Sequence, residues 1–204
     1  MTWYVVEGMD GSGKSSVAEM LESGLRAMGR RVMVITHPNT DTFVGRLERR
    51  SLTVDGKAAL VVTTGLYITD VLHSISVMRF RGRRYDDIVF VRYIGAVAYL
   101  PDSVCVTAYD AIAKILPMPD VKLFVDVDAA TAARRIIERG DEMEVFESEE
   151  RLERTRGRLQ RILSDWTVID NTGTPEETRR RVSEILSDTA GPIREDDEVT
   201  ADDT

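Results

Sequence analysis

Residues 8–15 read Gly8-Met9-Asp10-Gly11-Ser12-Gly13-Lys14-Ser15, which meets every fixed position of the phosphate-binding pattern G-x-x-x-x-G-K-[ST]. The apolar run Trp3-Tyr4-Val5-Val6 comes before it, and Ser16-Val17-Ala18-Glu19-Met20-Leu21 follows with helical spacing. The pattern therefore lies between a strand and a helix, the context it needs. Glycines at 8, 11 and 13 let the backbone turn its N–H groups inward around a phosphate chain. The helix that starts there adds its positive dipole end and its unpaired N–H groups. Residues Gly8 to Ser16 are the expected ATP-binding segment, in which Lys14 reaches the β- and γ-phosphates and the Ser15 hydroxyl ligates Mg²⁺.

Working outward, the helix after the loop has apolar residues at Val17, Met20, Leu21, Leu25 and Met28 and stops at Gly29, as helices do. A strand is expected at Arg31–Thr36, then a turn at His37-Pro38 and a short helix from Thr40 or Asp41 to Leu52. A longer helical region runs from Lys57 to Phe80, with a possible break at Gly65. Asp87–Val91 reads as the third strand, Ala108–Leu116 as a helix and Val121–Asp126 as the fourth strand. A helix from Ala129 to Arg139 ends at Gly140; an acidic stretch, 141–150, leads into a polar helix to about Leu163. The last strand is Trp166–Asp170, and Thr174-Pro175-Glu176-Glu177 starts the last helix with a cap and a proline. Five apolar strands alternating with helices predict an α/β fold with a parallel sheet covered on both faces and ligands at the carboxyl ends of the strands.

Composition sets the outer limits. The 204 residues and 43% apolar content suit one α/β domain. No run approaches the roughly 18 apolar residues of a membrane span, and Met1-Thr2-Trp3-Tyr4 lacks the basic start of a signal peptide; a cytoplasmic location with no membrane partner is expected. Cys105 is the single cysteine, expected to be a small buried hydrophobe. Six acidic residues against Arg194 in 191–204 give that tail a net charge of −5 out of −8. The tail is expected to be solvated and disordered, and the near-balanced remainder argues against nucleic acid as a partner.

The chain resembles the thymidylate kinase family of P-loop nucleoside monophosphate kinases from about Tyr4 to Leu186. Val6-Glu7-Gly8-Met9-Asp10-Gly11-Ser12-Gly13-Lys14-Ser15 is similar to that family's E-G-x-D-G-x-G-K-[ST] loop. Arg92-Tyr93 with Ala98-Tyr99 resembles its D-R-Y and A-Y segments. Val125-Asp126-Val127-Asp128 with Arg135 and Arg139-Gly140 resembles its fourth strand and lid entry, and Ile169-Asp170 with Thr174-Pro175 its C-terminal end. The resemblance implies a P-loop kinase domain over 1–190 with a lid at about 140–150, transferring a phosphoryl group from Mg·ATP to a nucleoside monophosphate, dTMP by default, and working as a homodimer with Lys57–Phe80 as its surface. It implies that Asp10 lies near the acceptor's sugar, that Arg92 holds the acceptor phosphate, and that Tyr67 and Tyr99 flank the acceptor. His37 and Pro38 stand in the acceptor-facing loop, Arg135 lies against adenine, and Arg139 opens the lid. Lys14, Arg92 and Arg139 are then the expected catalytic cations.

Several positions depart from the family pattern. Val91 stands where an acidic residue precedes Arg92, which makes Asp126 the expected substitute for holding a metal-bound water. His37, Val71, Leu100 and Val145 replace an arginine, an arginine, a glutamine and a basic lid residue. These keep two alternatives open: a P-loop kinase of a non-nucleotide metabolite, and a nucleotide-binding protein without turnover.

Overall fold

The computed structural model describes residues 1–37, 57–139 and 149–190. Pro38, the helix expected over 40–52, nearly all of the expected lid including Val145, and the acidic tail lie outside the described residues.

Five strands form one parallel sheet: β1 (Thr2–Glu7), β2 (Val32–Thr36), β3 (Asp87–Val91), β4 (Val121–Asp126) and β5 (Thr167–Asp170), in the order β2-β3-β1-β4-β5. Strands β1 and β3 are buried along nearly their whole length, because both faces of the sheet are covered. Trp3 and Val5 on one face join Ile88 and Phe90 in one core, while Tyr4 and Val6 on the other join Val89 and Val91. This is the period of two expected of a strand whose alternate side chains both meet protein.

Helices α1 (Lys14–Ala27) and α6 (Pro175–Thr189) cover the Tyr4 face through Val17, Leu21, Leu25, Val182 and Leu186. The other face is covered by α2 (Lys57–Arg81), α3 (Asp102–Ile115), α4 (Ala129–Glu138) and α5 (Glu149–Ile162). Cys105 is buried there, and burial pushes its thiol pKa up, as suits an inert packing residue. Chain order reverses beside β1, which has β3 on one side and β4 on the other. The carboxyl end of β1 is thus the switch point where parallel sheets open a crevice, and the loop of residues 8–13 lies there.

Two helix expectations need correction. Helix α2 runs through Gly65 without a break; one helical glycine costs only about 1 kcal/mol. Helix α3 begins at Asp102, six residues before the expected start. Pro101 forms its N-cap with φ −56° and Asp102 complements its positive end, but Val104, Val106 and Thr107 are β-branched and mask the helical signal.

Candidate active site

The loop between β1 and α1 is shaped by backbone that only glycine adopts freely. Gly11 has φ +74° and Gly13, the N-cap of α1, φ +91°. A Cβ on Gly11 would lie 2.4 Å from the Ala132 carbonyl oxygen, and one on Gly13 would lie 2.2 Å from Asn171 Nδ2. Lys14 folds back over the loop, its Nζ donating to the Met9 carbonyl at 2.5 Å. The ammonium is buried, and burial lowers its pKa to about 7, with the nearby Arg92 adding to the fall against Asp10 and Glu7. The Ser12 hydroxyl is buried without a hydrogen-bond partner, whereas Ser15 and Ser16 stand exposed in the first turn of α1.

Asp10 ties this loop to the segment after β3. Its Oδ1 pairs with Arg92 Nη2 and lies 3.8 Å from Lys14 Nζ, and its Oδ2 accepts from the Tyr99 hydroxyl at 2.7 Å. Enclosure pushes the Asp10 carboxyl up, but Arg92 and Lys14 outweigh it and hold the group well below the usual carboxylate range. Arg92 has φ +64°, the one non-glycine positive φ among the described residues, a conformation that costs energy and is held by its surroundings. Its N–H donates to Val6 O, and the buried Glu7 receives the Tyr93 and Gly95 N–H groups on Oε1, each at 2.7 Å. Burial raises the Glu7 pKa. Glu7, an acid at the end of an apolar strand, carries no role in the sequence reading; its place directly before Gly8 was the available signal. Val91 packs in the core beside Val6 and Val89, on the face covered by α1.

His37 takes a different place from the one expected. Its ring is fully buried, with Nδ1 2.7 Å from the Arg92 carbonyl oxygen and Nε2 2.9 Å from Ser74 Oγ on α2. A carbonyl can only accept, so Nδ1 carries the proton and Nε2 accepts from Ser74. Burial lowers the His37 pKa, so the ring is neutral at pH 7. It supports Arg92 from beneath and presents no edge to an acceptor. Tyr67 donates its hydroxyl to the Tyr93 carbonyl and meets the His37 ring edge-on, with centroids 6.3 Å apart.

On the β4–β5 side, Arg135 donates to the Asn171 carbonyl at 2.9 Å while its Nη1 is buried without a partner. Arg139 is the C-cap of α4, and its charge contributes to the lowered pKa of Lys14. Asp126 also departs from expectation. Its two oxygens accept from Arg156 Nε and Nη2 at 2.8 and 2.9 Å, and Oδ2 accepts from Gln160. Its carboxylate is thus engaged by α5; Ser15 is the other residue expected at the metal. Among the described residues no group of three or more His, Cys, Asp or Glu side chains could hold a metal. A cation held by one hydroxyl and the phosphates themselves fits this donor set, since Mg²⁺ keeps several waters and few protein ligands; the unpartnered Ser12 hydroxyl fits a neighbouring phosphate oxygen.

Sheet order, glycine loop and buried lysine define the P-loop class of nucleotide phosphate-binding domains. The family model described as "Thymidylate kinase" matches residues 6–182. The chain is 31% identical over 190 residues to a thymidylate kinase of Xanthomonas oryzae pv. oryzae (strain PXO99A), covering 89% of this chain and 81% of that one. It is 30% identical over 191 residues to a probable thymidylate kinase of Pyrobaculum aerophilum, covering 91% and 96%. The solved thymidylate kinase of Candida albicans superposes with a TM-score of 0.70 at 20% identity, over 92% of this chain and 91% of that one. The chain belongs to the thymidylate kinase family.

Proposed function

We propose that this protein transfers the γ-phosphoryl group of Mg·ATP to dTMP, forming dTDP and ADP. The observation that carries the reading is the cluster in which Asp10, inside the phosphate loop, joins Lys14 on one side to Arg92 and Tyr99 on the other. Two phosphate-seeking cations thus flank one carboxylate, as a donor and an acceptor phosphate placed end to end require.

An oxygen of the acceptor phosphate attacks the γ-phosphorus, and the bond from that phosphorus to the β-bridging oxygen breaks, releasing ADP. Lys14 and the loop N–H groups hold the donor. Arg92 leaves Asp10 to hold the acceptor phosphate, Asp10 and Tyr99 lie by its sugar, and Tyr67 by its base. Arg135 lies against adenine and Arg139 carries positive charge at the lid base. The Ser15 hydroxyl, with the phosphates, would hold magnesium, which would supply positive charge against the transferred group. Lid closure over 140–150, a homodimer formed through α2, where Ile68, Leu72 and Phe80 are exposed, and a cytoplasmic location belong to the same reading. No helix among the described residues is long and apolar enough to cross a membrane.

The non-nucleotide alternative loses its motive. His37 and Val71 are buried packing residues and Leu100 packs against the core, so their identities follow from internal packing without a non-nucleotide acceptor. The test is ADP release from Mg·ATP with dTMP and a panel of other nucleoside monophosphates. Turnover with dTMP is expected; no ADP from any of them overturns the reading.

A further inference from the structure

We propose that Asn171 is a positioning residue of the phosphate loop, setting the orientation of the Ser12–Gly13 peptide so that the Gly13 N–H faces the bound phosphates. The proposal rests on the nucleotide-binding reading above and adds a residue to it.

Asn171 directly follows β5, and its backbone N–H continues the parallel ladder by donating to Asp126 O at 2.9 Å. That bond fixes where the side chain starts. Its Nδ2 donates to the Ser12 carbonyl at 2.7 Å, and its Oδ1 accepts from the Thr178 hydroxyl on α6 at 2.8 Å. The amide cannot turn over, because a flipped Oδ1 would face the Ser12 carbonyl, acceptor against acceptor. A trans peptide is planar, with its N–H opposite its C=O. Holding the Ser12 carbonyl toward β5 therefore sends the Gly13 N–H the other way, into the loop, where inward N–H groups build an anion cradle. The contact is tight enough to exclude a side chain at Gly13, whose Cβ would overlap Asn171 Nδ2 at 2.2 Å. The Asn171 carbonyl also receives Arg135, whose Nη1 lies 3.9 Å from where a Gly13 Cβ would stand, so one residue contacts both the loop and that arginine.

The measurement is Mg·ADP affinity by titration calorimetry, read beside thermal stability. Asn171→Asp keeps the shape and the acceptor for Thr178 but sets an oxygen against the Ser12 carbonyl. It should weaken Mg·ADP by about tenfold or more while Tm stays within a few degrees of the parent. Val182→Ala, in the α6 core, is the control for simple destabilisation and should lower Tm with unchanged affinity. Asn171→Ala, which removes the donor without adding charge, should also weaken binding, and it carries the test if Asn171→Asp does not fold. Parent-like affinity in the Asn171 variant overturns the proposal, as does an affinity loss that only follows Tm, as a packing role would give. If the parent itself fails to bind Mg·ADP, the phosphate-loop reading falls, an outcome distinct from unchanged binding in the variants.

Discussion

Lys14 is an amine poised between charge states. With a pKa lowered to about 7 by burial and by Arg92, it is mostly neutral at pH 8. Phosphate oxygens favour the ammonium and raise that pKa, so nucleotide binding at pH 8 should take up close to one proton, and at pH 6 almost none. Calorimetric heats measured in buffers of different ionisation enthalpy check this; buffer-independent heats at pH 8 would contradict it. His37 gives a second pH effect. Its pKa is lowered in the fold, so the folded state prefers the neutral ring. The stability this contributes is present above pH 6.5 and lost as pH falls below it. His37→Asn cannot titrate, so its deficit in urea midpoint relative to the parent should shrink between pH 6.5 and pH 5. The motif residues were legible because the loop pattern fixes both their type and their spacing. Glu7, His37 and Asn171 were not, because what each does depends on partners 37 to 159 positions away in the chain, and no local pattern encodes such a meeting.

At the scale of elements, the turn from β5 into α6 carries Asn171 and is closed by a capping box. Thr174 accepts from the Glu177 N–H while Glu177 returns a bond to the Thr174 N–H. Thr174→Ala should cost about 1 kcal/mol in denaturant unfolding. The β4–α5 contact makes a different prediction. Since Asp126 is paired with Arg156, Asp126→Asn should lower stability by about 1 kcal/mol yet leave the magnesium concentration for half-maximal rate within about threefold of the parent. A large rise in that concentration would return Asp126 to the metal. The capping box and the central strands could be read ahead because capping residues and continuous apolar runs are local signals. The start of α3 could not, because β-branched residues there carry a strand-like bias that packing overrides.

Over the whole molecule, the five strands were legible but their order was not, since spatial order depends on crossovers that apolar runs do not record. The surface makes one prediction at this scale. Helix α2 exposes Ile68 and Leu72, each 47% accessible, and Phe80 at 85%. If this is the homodimer surface, light scattering should give the mass of a dimer for the parent and of a monomer for Leu72→Glu; a monomeric parent removes the dimer.

On the roles proposed above, the Asp10–Arg92 pair couples the two halves of the crevice. Arg92, if it holds the acceptor phosphate as proposed, cannot also grip Asp10 with its full strength, and Asp10 released from Arg92 is left to Lys14, the proposed donor cation. Filling one half of the crevice therefore alters the electrostatic cost of filling the other. By thermodynamic reciprocity, whatever factor ADP imposes on the affinity for dTMP, dTMP imposes on the affinity for ADP.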